Sequence, residues 1–224
     1  NTDSHGSDKA TDPRNLFSER NSTDTSLVIV PASLCHNWYN EIRKFCPSLT
    51  AVIHHGTGRQ KSTSHFYGYD IIISSYHTVR QDIEILSAMN FFYVILDESQ
   101  HIKNPTSNIY RSVMRLRSSH RLVLSGTPVE NSLTDLWTQL SFVNPGLLGS
   151  LTFFRREFAI PIEKNFEEEK ETRLRKIIQP FIMRRTKEMV VTELPPVTEQ
   201  VIHCDMSDEP VSYTHLTLPT KRIV

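Results

Sequence analysis

Two acidic residues, Asp97 and Glu98, stand side by side where an apolar run ends. The run Tyr93-Val94-Ile95-Leu96 leads straight into Asp97-Glu98-Ser99-Gln100. A carboxylate at the carboxyl end of a buried strand can hold Mg²⁺ through the metal's water shell. A second carboxylate beside it can polarise a water for in-line attack on a γ-phosphate. On this dipeptide alone, a strand ending in a solvated acidic turn is the simpler reading. A second apolar run, Leu122-Val123-Leu124, ends in Ser125-Gly126-Thr127. The hydroxyls of Ser125 and Thr127 can bond to the acidic turn if the strands are neighbours, or can cap a following helix. Two strand ends with complementary polar tips tip the balance toward a shared site.

Other chemistries find little support. Cys35, Cys46 and Cys204 form no C-x-x-C pair, which argues against a disulfide framework and a structural zinc, and for a reducing compartment. The histidines are dispersed apart from His54-His55, and adjacent strand residues point to opposite faces, so they read as ordinary histidines rather than ligands. Lys and Arg number 25 and Asp and Glu 25, for a formal net charge of zero. Any nucleic-acid surface is therefore a local patch, not a global field. Only 7 of 224 residues are glycine, and no Gly-Lys pair occurs, so the phosphate-loop string G-x-x-x-x-G-K-[ST] is absent. No apolar run approaches the ~18 residues of a membrane span, and the first residues are polar, unlike a secretory signal. The expectation is a soluble intracellular chain with no membrane partner.

The acidic pair needs a sheet to hold it. Leu27–Val30, Ala51–Ile53, Ile71–Ile73, Phe91–Leu96 and Leu122–Leu124 are short continuous apolar runs, the pattern of strands buried on both faces of a parallel sheet. Between them, helical spacing predicts a helix through Leu34, Trp38, Ile42 and Phe45 with Ser33 as its cap, and others near 81–89 and 107–117. Alternating strands and helices predict an α/β three-layer fold with a mainly parallel sheet. Beyond Asn131 the pattern is helical: Leu133–Leu140, a stretch with Phe153, Phe154 and Phe158, a charge-rich run over 163–176, and a short helix near 181–189. Glu199–Cys204 is a last strand candidate. Trp38 and Trp137 read as core residues. Residues 1–26 are too polar to repay the entropy of ordering and read as a disordered arm or insertion. Residues 210–224 continue no earlier period and read as a non-native read-through tail.

Together these blocks resemble the Swi/Snf family of helicase-like ATPases. Asp97-Glu98-Ser99-Gln100-His101-Ile102-Lys103-Asn104 is similar to that family's Walker B box, with Ser99 and Gln100 in place of the commoner Ala and His. Leu124-Ser125-Gly126-Thr127-Pro128-Val129-Glu130-Asn131 with Leu136-Trp137 resembles motif III. Val30-Pro31-Ala32-Ser33-Leu34-Cys35-His36-Asn37-Trp38 with Glu41 resembles motif Ia, and Tyr69–Tyr76 with Arg80 the next block. Phe181-Ile182-Met183-Arg184-Arg185-Thr186-Lys187 and Leu194-Pro195 resemble the segment that joins the two motor lobes. The blocks fall in the family's order over about residues 27–209.

The resemblance implies a RecA-like first lobe over 27–145, a helical extension and linker over 146–209, and a second lobe in the parent chain. It implies an ATP- and Mg²⁺-dependent motor that tracks along double-stranded DNA. Asp97 would bind Mg²⁺ through water, and Glu98 would be the catalytic carboxylate. Gln100 with Ser125, Gly126 and Thr127 would couple nucleotide state to DNA. Ser33, Ser75, Lys103, Arg184, Arg185 and Lys187 would approach DNA. Partners would include transcription or chromatin proteins, and the location would be cytoplasmic, nucleoid-associated if bacterial, with a nuclear location as the alternative. The missing phosphate loop makes the chain an expected fragment, inactive alone. Two other readings stay open: a degenerate non-catalytic DNA- or protein-binding lobe, and an RNA helicase or restriction motor subunit.

Overall fold

A computed structural model describes residues 25–126 and 132–185. Residues 1–24 of the arm expected over 1–26, Thr127, Lys187, the strand candidate at 199–204 and the tail at 210–224 lie outside the described residues, while Thr25 is buried and Ser26 opens the first strand rather than belonging to a disordered arm.

Five parallel strands form one sheet in the order β2-β3-β1-β4-β5. They are β1 (Ser26–Val30), β2 (Ala51–His54), β3 (Ile71–Ser75), β4 (Asn90–Leu96) and β5 (Arg117–Val123). β1 lies centrally, with Val28 opposite Ile73 of β3 and Ile95 of β4. Helix α1 (Cys35–Phe45) connects β1 to β2. Helices α2 (Tyr76–Gln81) and α3 (Ile83–Leu86) connect β3 to β4, and α4 (Asn108–Met114) connects β4 to β5. The strands' side chains alternate between two cores. Leu27, Ile29, Ile72, Val94 and Leu96 pack with residues of α2, α3, α4 and α5 (Leu133–Val143). Val28, Val30 and Ile73 pack with Cys35 and Ile42 of α1. Helices on both faces of a parallel sheet make the expected three layers.

Three further sequence expectations change. β1 and β3 are buried on both faces, but β4 and β5 are not: Tyr93 is 36% and Leu122 42% exposed. Among the described residues only α1 covers that face, and it packs on the β1–β3 half. Ser33 is not the cap of α1. A 3-10 turn over Ala32–Leu34 precedes the helix, and its N-cap Leu34 has no side-chain bond. The helix expected over 81–89 starts earlier, at Tyr76, and breaks at Asp82. Ser75 caps it, accepting from the Thr78 N–H.

After β5, α5 carries the chain into a second apolar cluster of Leu136, Leu140, Phe154, Phe158 and Leu174. Residues 151–165 run as one helical stretch: α6 (Leu151–Phe154), a π-helical turn over Arg155–Ala159, and α7 (Ile160–Asn165). Helix α8 (Glu168–Ile178) follows. Residues 182–185, at the start of the helix expected near 181–189, are not helical, and they belong to a separate unit that begins at Phe181.

Candidate active site

The main chain prolongs the sheet just past β4 and β5. Asp97 N donates to Ile29 O at 2.9 Å, Leu124 N to Leu96 O at 2.7 Å, and Ser99 N to Leu124 O at 3.1 Å. The two polar tips are therefore neighbours, joined through backbone. The chain then leaves the sheet sharply. Glu98 takes φ 51 and ψ 54, the left-handed region, at a cost of roughly 1–2 kcal/mol for a residue with a Cβ. A 3-10 turn over Ser99–Ile102 follows, anchored by the fully buried Ile102.

Both carboxylates are half-buried and engaged. Asp97 Oδ2 accepts the Trp38 indole N–H at 2.7 Å, and Oδ1 accepts the Glu98 N–H at 2.9 Å. The Tyr76 hydroxyl donates to the Asp97 carbonyl at 2.7 Å. Burial, and then the charges of Asp97 and Glu98, push the Tyr76 phenol well above its ordinary range, so it remains a donor. Gln100 Nε2 donates to Glu98 Oε2 at 2.8 Å, so Gln100 holds the second carboxylate directly. Ser99 Oγ and Gln100 Oε1 are buried and have no hydrogen-bond partner among the described residues. Ser125 is half-buried at the tip of β5, and Gly126 beside it is exposed.

The residues expected near DNA divide. Ser33 is exposed on the 3-10 turn at the end of β1, and Lys103 is exposed just past the acidic turn. Ser75 departs from expectation. It is 2% exposed, and its hydroxyl is committed to Thr78 N, Thr78 Oγ1 and His55 Nδ1. Its place is to start α2, not to offer a side chain to a phosphate. Arg184 and Arg185 are exposed in the second unit.

Sequence reasoning missed two groups. Trp38 packs half-buried against the Val28 and Ile73 cluster as a core residue would, but its indole N–H goes to Asp97. The signal was available, since a buried indole N–H almost always finds an acceptor. The second group is Arg59-Asp82-His54. Arg59 Nε and His54 Nε2 both bond to Asp82 Oδ2, at 2.5 Å and 2.9 Å. No sequence pattern marks a charged trio drawn from a strand end, a loop and a helix break.

Comparison with known proteins shows the family and the fold. The model of the SNF2-related domain matches residues 13–223. The chain belongs to the SNF2-related domain family. A Bacillus subtilis protein named for ATP-dependent helicase or translocase activity, YwqA, is 38% identical over 191 residues, covering 83% of this chain and 21% of that protein. The TATA-binding protein-associated factor MOT1 of Saccharomyces cerevisiae is 35% identical over 213 residues, covering 89% of this chain and 11% of its own length. The SWI2/SNF2 ATPase core of Sulfolobus solfataricus, solved in complex with double-stranded DNA, is 42% identical with a TM-score of 0.68, over 77% of this chain and 36% of that one. The expected RecA-like fold of the SNF2 family is thus present. The chain spans a minor part of each of these proteins, so their whole activities belong to a larger assembly of domains.

Proposed function

We propose that this chain supplies the water-activating half of the ATP site in an ATP-dependent motor that moves on double-stranded DNA. The observation that carries this reading is the Asp97-Glu98 pair, held in a left-handed turn at the end of a central parallel strand and bonded to the tip of the next one. That is where α/β sheets place their ligands.

The donor set suits magnesium. Each Asp97 oxygen accepts one protein N–H, which leaves a lone pair for a metal-bound water. Mg²⁺ favours one or two carboxylates plus water over an all-protein cage. Among the described residues there is no cluster of three His, Cys, Asp or Glu that would form such a cage. The metal, when bound, neutralises charge on the phosphates. Glu98, oriented by Gln100, accepts a proton from the attacking water. Trp38 and the neutral Tyr76 phenol each donate to Asp97, and neither is a base that competes for that proton. The chain has no Gly-Lys pair to cradle a triphosphate, so it turns over no ATP until a phosphate loop is supplied.

The DNA side of the reading rests on the DNA-bound relative and on the exposed Ser33 and Lys103, which can position a backbone without reading sequence. Its partners are a second RecA-like lobe and, by analogy with MOT1, transcription proteins. The test is DNA-stimulated ATP hydrolysis in the longer chain that carries a phosphate loop and a second lobe. Glu98→Gln should lower the stimulated rate at least a hundredfold and leave the unfolding midpoint in place. A Glu98→Gln variant with full activity defeats the proposal, and stimulation by RNA in preference to DNA redirects it to an RNA helicase.

A further inference from the structure

The Asp97-Glu98 turn is gripped from two helices that are distant in sequence. Trp38 lies on α1, 59 positions before Asp97, and donates to its carboxylate. Tyr76 opens α2, 21 positions before Asp97, and donates to its carbonyl. The Tyr76 ring stacks on His101 with centroids 4.8 Å apart and planes 28° apart, so α2 also touches the far side of the turn. Both donors are permanent. Indole does not titrate, and the Tyr76 phenol is 4% exposed beside two carboxylates. What they grip is strained, because a non-glycine residue stays left-handed only where its surroundings over-determine it.

We propose that Trp38 and Tyr76 are positioning residues that pin the side chain and the carbonyl of Asp97 and thereby aim the Glu98 carboxylate. The inference rests on the ATPase reading above and adds a route to it. Helix α1 follows the turn that carries the exposed Ser33, read above as approaching DNA, and α2 starts at Ser75, so both begin at the carboxyl ends of strands, beside the acidic turn. A duplex that shifts either helix start moves a hydrogen-bond donor on Asp97. Each is a single bond 2.7 Å long that can lengthen by only a few tenths of an ångström, so a larger shift breaks it or carries the turn along.

The competing account is packing alone, since both rings also line apolar clusters. Ring-preserving variants separate the two. Trp38→Phe and Tyr76→Phe keep an aromatic ring and delete the donor. Trp38→His deletes bulk but restores a donor, because the imidazole overlays the five-membered ring of indole with Nε2 at the Nε1 position. In the longer chain with its phosphate loop and second lobe, Trp38→Phe should lower DNA-stimulated kcat about tenfold, the effect of one hydrogen bond to a charged group, and Tyr76→Phe about fivefold, since its bond is to a neutral carbonyl. The KM for ATP should stay within about twofold, basal hydrolysis should fall less, and Trp38→His should recover most of the loss. In the 224-residue chain itself, with no nucleotide, Asp97→Asn should move the Trp38 indole proton resonance and leave that of Trp137 in place.

Wild-type stimulation in both Phe variants overturns the proposal. So does an equal loss in Trp38→Phe and Trp38→His, or an indole resonance indifferent to Asp97→Asn. An equal fall of basal and stimulated rates removes the DNA route. Full activity in Glu98→Gln is a different result: it removes the ATPase reading itself, and this inference falls with it.

Discussion

Ser99 shows how finely the acidic turn is balanced. It is fully buried, its N–H reaches Leu124, and its hydroxyl has no partner among the described residues. A buried hydroxyl without a partner costs about 1–3 kcal/mol relative to one that is satisfied. Ser99→Ala should therefore leave the thermal midpoint unchanged or raise it, as read by calorimetry. A fall of several degrees would mean that the hydroxyl has a partner that stabilises the turn. The Asp97-Glu98 pair stood out only beside the second polar strand tip at Ser125, and Gln100 only through the family resemblance. The role of Trp38 was not legible. In one dimension its spacing on α1 is that of a core residue, and only the fold brings its N–H within 2.7 Å of Asp97.

At the scale of elements, the break between α2 and α3 has a cause. Asp82 stands at the break, 5% exposed, and draws in Arg59 and His54. Removing Asp82 takes the acceptor from the buried His54 and the counter-charge from Arg59, which keeps Gly56 O and Gln81 Oε1, so Asp82→Ala should cost about 1–3 kcal/mol in urea unfolding. The trio also sets a pH dependence. Burial outweighs the pull of Asp82 and holds the His54 pKa below its ordinary 6.5, while the Arg59 hydrogen bond holds the Asp82 carboxyl below its usual range. Both folded pKa values are depressed, so both groups stabilise the fold at neutral pH and lose that contribution as pH falls. The His54 share goes first, below pH ~6.5, and the Asp82 share below pH ~4. Thermal midpoints measured from pH 7 to 5 should fall in the wild type and fall less in His54→Gln. Strands β1 to β4 were legible from continuous apolar runs. The first five residues of β5, Arg117-Ser118-Ser119-His120-Arg121, were not. This strand is a sheet edge with an exposed face, and Arg121 is held by carbonyls of Leu116 and Phe142 rather than by an apolar pattern.

Across the folded unit that ends at Pro180, two cores meet at one side chain. Trp137 packs against the sheet core and the helical core alike, and its indole N–H donates to Gly149 O at 3.2 Å. Trp137→Ala should lower stability by about 3 kcal/mol, the low end for a large aromatic because Trp137 is only half-buried. It should also split a single thermal transition into two, with the helical part melting first. One sharp transition in that variant would show that the cores are joined elsewhere.

The sequence alone determined the alternation of strands and helices, the parallel character of the sheet, and the acidic pair with its hydroxyl neighbour. Each is a local pattern, set by hydrophobic period and by residue type at a strand end. Family membership was legible for the same reason, since it resides in ordered short motifs. Only tertiary structure decided that the tip of β5 lies against the acidic turn, that Ser75 spends its hydroxyl inside, and that Trp38 and Tyr76 hold Asp97. Those facts depend on which strand sits beside which and on how two helices cross their ends. Such contacts join residues tens of positions apart, and no period in the chain encodes them.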